Sequence, residues 1–346
     1  MDPNPLRHAP YTPLSSIEYA LLSADQGFIL HFFDSWGLAE TIAISKTNKR
    51  LHCIVQLVFS CNWNLGNLFR DFFYDETAAS ELFSGGDIIM HGPQVLRFFD
   101  RTLTHQSWTS SEPLDICVHV QSMDKILDFM ERERFLFNSY QADTFQETVD
   151  REITNIRPWK LKSDGERNAA EDDLSSWGPY NFGRLIHRHW YQRLRLHIVR
   201  CEPYRHILSL HSTGMMQFVA WNSAISVFPH STFIRRMSFV SSQSEIPLAS
   251  FTNEYKDWLD AYGRRYDLQI VGMDHRHHKC VELGRRFIGD GKSWIIPYSP
   301  IDSGPSLSRK KCRGPRFEVL DWRSSTTRVG SYLRIAEPEI WRSVQA

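Results

Sequence analysis

The side chains best suited to chemistry in this chain lie between Ile88 and Val199. In the stretch EPLDICVHV, Leu114, Ile116, Val118 and Val120 alternate with Asp115, Cys117 and His119. That is the period of a strand buried on one face, so Asp115 is expected to point away from the core. Upstream, Val95, Leu96, Phe98, Phe99 and Leu103 fall on one side of a helix and Arg97, Asp100 and Arg101 on the other. Gly92 stands just before that helix, where free backbone N–H groups can receive an anion. Downstream, YQRLRLHIVRC reads as a further strand, with Leu194, Leu196 and Ile198 on the core face and Arg195, His197 and Val199 on the other. If Asp115, His119 and His197 met within about 4 Å of one point, one carboxylate and two imidazoles would suit a transition metal better than Mg²⁺.

The elements that must position these residues are a turn, a helix, a loop and a strand, and this layout resembles nucleotidyltransferases of the polymerase-beta type. In that family a Gly-Ser turn opens a helix and the next strand carries Asp-x-Asp. A third acid on a neighbouring strand completes a site whose divalent cations orient a nucleoside triphosphate for in-line displacement. At the matching positions Gly92 keeps the glycine, Pro93 replaces the serine, Pro113 replaces the first aspartate, Asp115 is retained and His197 stands where the third carboxylate belongs. Glu112 compensates only if the strand is bulged, because regular alternation sends it to the face opposite Asp115. The resemblance therefore implies a degenerate, non-catalytic descendant needing no cofactor. Its alternative is an active enzyme with Asp115 and Glu112 as catalytic carboxylates, Asp115 holding Mg²⁺, and Gly92, His119 and His197 bordering a nucleoside triphosphate.

Residues 14 to 60 carry apolar residues at helical spacing, interrupted at Gly27 and Gly37, and read as three short amphipathic helices. Gly27 weakens the first of them by about 1 kcal/mol relative to alanine. The order LLSADQGFILHFF, then LAETIAISKTNKRLHCIV, resembles the F-box, a helical module that docks on the Skp-type adaptor of cullin ubiquitin ligases. The resemblance rests on Leu21, Ile29, Leu30, Leu38, Ile44, Ser45, Lys46 and Leu51, with Leu22-Ser23 in place of the usual Leu-Pro. It implies partner contacts through Leu21, Ile29, Leu38, Ile44 and Leu51. The other reading of the segment is a helical cap packed on the next domain.

A chain of 346 residues is long enough for two or three domains. Lys plus Arg and Asp plus Glu both count 40, which gives no signal for nucleic acid or a membrane as principal partner. Six scattered cysteines without a CxxC pair read as reduced thiols. With no run of about 18 apolar residues and no secretory signal, a cytoplasmic or nuclear protein is expected.

Residues 1–13, with four prolines, read as a mobile tail, 14–60 as the F-box-like module and 61–84 as a connecting helix. Residues 85–300 read as the nucleotidyltransferase-like domain with an exposed insertion at 162–180, and 301–346 as a C-terminal extension. After the aspartate strand, a helix marked by Met123, Ile126, Leu127 and Met130 is expected to turn Asp128, Glu131, Arg132, Glu133 and Arg134 to solvent. The stretch MDHRHHKC reads as a solvated loop, since adjacent histidines rarely converge on zinc. GKS at 291–293 lacks the P-loop glycine, because Arg286 stands there, and FIGDGKSWIIPY reads as a hairpin. No GxSxG, HExxH or GxGxxG occurs. The expected fold is α+β: a small N-terminal helical module, then a mixed β-sheet with helices on one face. The expected function is that of an interaction protein, with an F-box-type substrate receptor as its specific form.

Overall fold

The computed structural model describes residues 14–34, 36–101, 112–138, 144–149, 176–187, 190–241, 253–272, 281, 283–298, 314–320 and 331–335. The tail at 1–13 and the histidine-rich stretch at 273–280 lie outside them. The protein is α+β, with N-terminal helices followed by a mixed sheet with helices.

Four helices, not three, open it: α1 (Ser16–Ser23), α2 (Gln26–Asp34), α3 (Leu38–Ser45) and α4 (Lys49–Asn62). Ser15 and Glu18 form a capping box at α1, and Asn48 caps α4 by accepting from the Leu51 N–H at 2.9 Å. The first break falls at Ala24 and Asp25, not at Gly27. The Asp25 carboxylate accepts from the Phe28 N–H at 2.8 Å and so starts α2 ahead of the glycine. Leu21, Ile29, Phe33, Leu51, Ile54, Val55 and Val58 fill the core of this module.

Two helices replace the single expected connector: α5 (Leu65–Phe72) and α6 (Glu76–Leu82). Asp75 caps the second through the Ala78 N–H. Then come β1 (Ile88–His91), α7 (Pro93–Phe99), β2 (Leu114–His119), α8 (Met123–Arg132), β3 (Leu136–Phe137), β4 (Ser176–His187) and β5 (Trp190–Val199). The end of the expected insertion, 176–180, is thus the start of β4, and its residues 162–175 lie outside those described. A short helix, α9 (Pro203–Leu208), leads to β6 (Gln217–Ala220), β7 (Ser223–Ser226) and β8 (Met237–Phe239). The last elements are α10 (Asn253–Arg265), β9 (Gln269–Val271), β10 (Gly284–Phe287), β11 (Trp294–Pro297), β12 (Arg316–Leu320) and β13 (Ser331–Arg334).

Eight strands form the main sheet in the order β11-β7-β6-β1-β2-β5-β4-β3. Only β2 and β5 pair in parallel within it. One face carries Met90, Leu114, Ile116, Val118, Leu194, Leu196 and Ile198, packed with residues of α5, α7 and α8. The other face is buried too, which corrects the expectation of a one-sided sheet. Ile89, Phe218 and Ile225 pack there with Ile207 and Leu208 of α9 and with Phe317, Val319 and Leu333 from the small sheet β10-β12-β13. Part of the expected C-terminal extension is therefore core: it closes the second face, where leaving the apolar side chains in water would cost about 25 cal/mol per Å².

The hairpin expected at 287–298 is not formed: strands stand at Gly284–Phe287 and Trp294–Pro297, but they do not pair with each other. β10 joins β12, while β11 joins β7 in the main sheet. Arg286 and Asp290 hold the turn between them. The guanidinium donates from Nε and Nη2 to Asp290 at 2.9 Å and from Nη2 to the Val227 carbonyl at 2.9 Å.

Candidate functional site

The sheet brings His91, Asp115 and Arg195 into one row. His91 on β1 is the register partner of Asp115 on β2, and Asp115 is the register partner of Arg195 on β5. All three project from the second face, and His197 follows two residues along the same strand. Pro203 opens α9 at its first position, and the helix places His206 against His91 and His197. From the other side, Tyr262, Arg265 and Tyr266 at the end of α10 close a cavity of about 480 Å³, lined also by His91, Asp115, Arg195 and His197.

Asp115 does not point to solvent. Its residue is 3% exposed, and both carboxylate oxygens accept from the Arg195 guanidinium, with Nη2 to Oδ2 at 2.7 Å. His197 Nε2 lies 3.6 Å from Oδ1. Burial alone would raise this carboxyl, but the neighbouring His197 and Arg195 side chains outweigh it and hold Asp115 below the usual carboxylate range. A Cβ built on Gly92 would overlap Asp115 Oδ2, and Gly92 adopts φ +81°. The glycine thus makes room for the protein's own carboxylate. The helix it opens, α7, has seven residues.

The histidines differ in their surroundings. His91 is buried, and desolvation pushes its pKa down to about 3 against the opposing pull of Asp115. Burial takes His206 well below the ordinary imidazole value. Both rings are therefore neutral at pH 7. Neither ring nitrogen of His91 or of His206 has a hydrogen-bond partner among the described residues. Each such buried, unpaired group costs about 1–3 kcal/mol.

Other predicted positions land elsewhere. His119 turns out of the site: its Nε2 lies 2.9 Å from the Arg200 carbonyl oxygen and its Nδ1 accepts from the Gln121 N–H. Glu112 borders the same cavity as Asp115, in contrast to the alternation rule, because β2 starts only at Leu114 and Pro113 stands between. Its carboxylate pairs with Arg265. Leu21, Ile29 and Leu51 are buried in the N-terminal module's own core, with Ile44 half-buried against it, and Leu38 is half-buried against the sheet's core. The side chains this module exposes include Ile17, Tyr19, Leu22 and Phe28.

The residues present do not fit a two-Mg²⁺ site. Where the resemblance would require three acids stand Pro113, an Asp115 held by Arg195, and His197. Hard divalent cations take oxygen ligands. Among the described residues, no group of three or more His, Cys, Asp or Glu side chains stands ready to hold a metal ion. Sequence reasoning missed His91 and His206 as site residues. His91 ends the apolar run IIMH and His206 precedes Ile207 and Leu208, so each looks like one polar residue in an ordinary buried element. Neither a family model, nor a curated protein, nor a solved structure matches the chain. Among the described residues no helix is long and apolar enough to cross a membrane.

Proposed function

We propose that this protein is a non-catalytic interaction protein built on a nucleotidyltransferase-like fold, with the N-terminal helices acting as an F-box-type module toward a Skp-type adaptor. One observation carries the reading. The carboxylate at the position where the resembled family binds its cations is neutralised by Arg195 from the adjacent strand. A cation bound there would have to displace a guanidinium held by two charge-assisted hydrogen bonds. The module's exposed Ile17, Tyr19, Leu22 and Phe28 suit a docking role better than the leucines in its core.

A second reading, a metal-dependent nucleotidyltransferase using Asp115 and Glu112, draws support from Glu112 bordering the same cavity. Isothermal titration with ATP, GTP, CTP and UTP, with and without Mg²⁺ or Mn²⁺, separates the two. No metal-dependent binding of a nucleotide is expected, either to the native protein or to Asp115→Ala. Metal-dependent nucleotide binding that disappears in Asp115→Ala would overturn the non-catalytic reading. In the docking arm, purified Skp-type adaptor should be retained by the native protein and lost by Leu22→Asp with Phe28→Asp. Retention by that double variant counts against the module.

A further inference from the structure

Three imidazoles crowd the Asp115 carboxylate: His91 on β1 and, much further along the chain, His197 on β5 and His206 on the next element, α9. Their ring centres lie 5.4 Å (His91 to His197), 5.7 Å (His197 to His206) and 5.8 Å (His91 to His206) apart, a nearly equilateral triangle. A metal bound at about 2.1 Å from an imidazole nitrogen lies about 3.2 Å from the ring centre. Ring centres in a tetrahedral site are then about 5.2 Å apart, and about 5.5 Å in a flatter, trigonal one. A second observation points the same way. Both nitrogens of His91, which is 3% exposed, and both of His206, which is 8% exposed, are buried without hydrogen-bond partners among the described residues, while Nε2 of His197 faces Asp115. Buried polar groups are as a rule paired, and a ligand shared with His197 would pair both of these rings at once.

From the triangle and its unpaired nitrogens we propose that His91, His197 and His206 bind one first-row transition-metal dication of the zinc type, with the fourth coordination position open to the cavity. As the rings stand they form no ready-made metal group. Turning an imidazole over about its Cβ–Cγ bond exchanges nitrogen for carbon within nearly the same outline, and the proposal requires such turns to bring the donors inward. Asp115 keeps Arg195 as its partner and stands beside His197 as an outer carboxylate, the group that commonly orients a metal-bound imidazole. Imidazoles select zinc, copper, iron or nickel over magnesium, so this site is separate from the two-magnesium chemistry of the resembled family and revises the expectation that the fold takes no metal.

The test is a Co²⁺ titration of the full-length, metal-stripped protein, read by the visible absorption of tetrahedral cobalt, with elemental analysis of the untreated protein alongside. One ion per chain is expected. His91→Ala, His206→Ala and His197→Ala should each weaken binding on the order of 100-fold or more, with circular dichroism unchanged. His197 is half-buried on a strand, so His197→Ala keeps the test valid if either buried variant fails to fold. A folded native protein that binds no Co²⁺ overturns the proposal, and so does binding that survives in folded His197→Ala. Binding lost instead in His277→Ala with His278→Ala would put the ion in the 273–280 stretch and overturn it equally. The titration contains no nucleotide, so its failure is distinct from that of the non-catalytic reading.

Discussion

At the scale of single residues, Asp115 and Gly92 form one unit. The glycine has a positive φ and no Cβ, and the carboxylate fills the space that a Cβ would take. Gly92→Ala therefore brings both backbone strain and a clash with a buried charged group, and should lower unfolding free energy by about 2 kcal/mol or more. Urea titration checks this against Gly291→Ala, which meets open space and should stay within about 0.5 kcal/mol of the native protein. A Gly92→Ala protein as stable as the control would mean that Asp115 is not held at that turn.

Among the elements, the end of α8 shows how a charged residue changes role once its neighbours are known. Glu133 belongs to a run that reads as a solvated face, yet it is buried and paired. Its carboxylate accepts from the Tyr74 and Asp75 N–H groups at 2.7 and 3.0 Å and from Arg184 of β4 at 2.8 Å. Arg184 also donates to the Phe72 carbonyl at 2.7 Å and lies over the rings of Tyr74 and Phe135. The pair thus ties α5, α6 and α8 to β4. Removing one partner leaves the other charge buried and alone, so Glu133→Ala should cost about 3–5 kcal/mol in a denaturant melt. A loss below about 1 kcal/mol would place Glu133 in the class of exposed pairs instead.

For the whole molecule, closing the sheet on both faces has a consequence for pH. His211 is half-buried in the wall of the cavity, and burial pushes its pKa down to about 4 from an ordinary 6.5. In the unfolded chain it takes a proton near pH 6.5, while in the folded protein it stays neutral until about pH 4. Its contribution to stability is complete above pH 6.5 and is lost as the pH falls toward 4, at about 1.4 kcal/mol per pH unit for one proton. Denaturation midpoints measured from pH 8 to pH 4 should show a shallower acid slope in His211→Phe than in the native protein. Parallel slopes would mean that the ring is already charged in the fold.

The periodicity of the chain by itself determined the secondary structure that frames the site. The alternation around Asp115, the helix after Gly92 and the split of β5 into a Leu194, Leu196, Ile198 face and an Arg195, His197 face are local properties, and each is present in the structure. What the tertiary structure alone decided is what covers that second face. Its lid comes from α9, α10 and the β10-β12-β13 sheet, up to some 220 residues further along the chain, and no local pattern encodes that contact. Period-two alternation cannot separate a face left in water from one closed over polar groups that have found partners, as Asp115 found Arg195. Nor can spacing show that His91 and His206, 115 positions apart, meet His197 in one cluster, because the strand order that joins them is set by packing between elements.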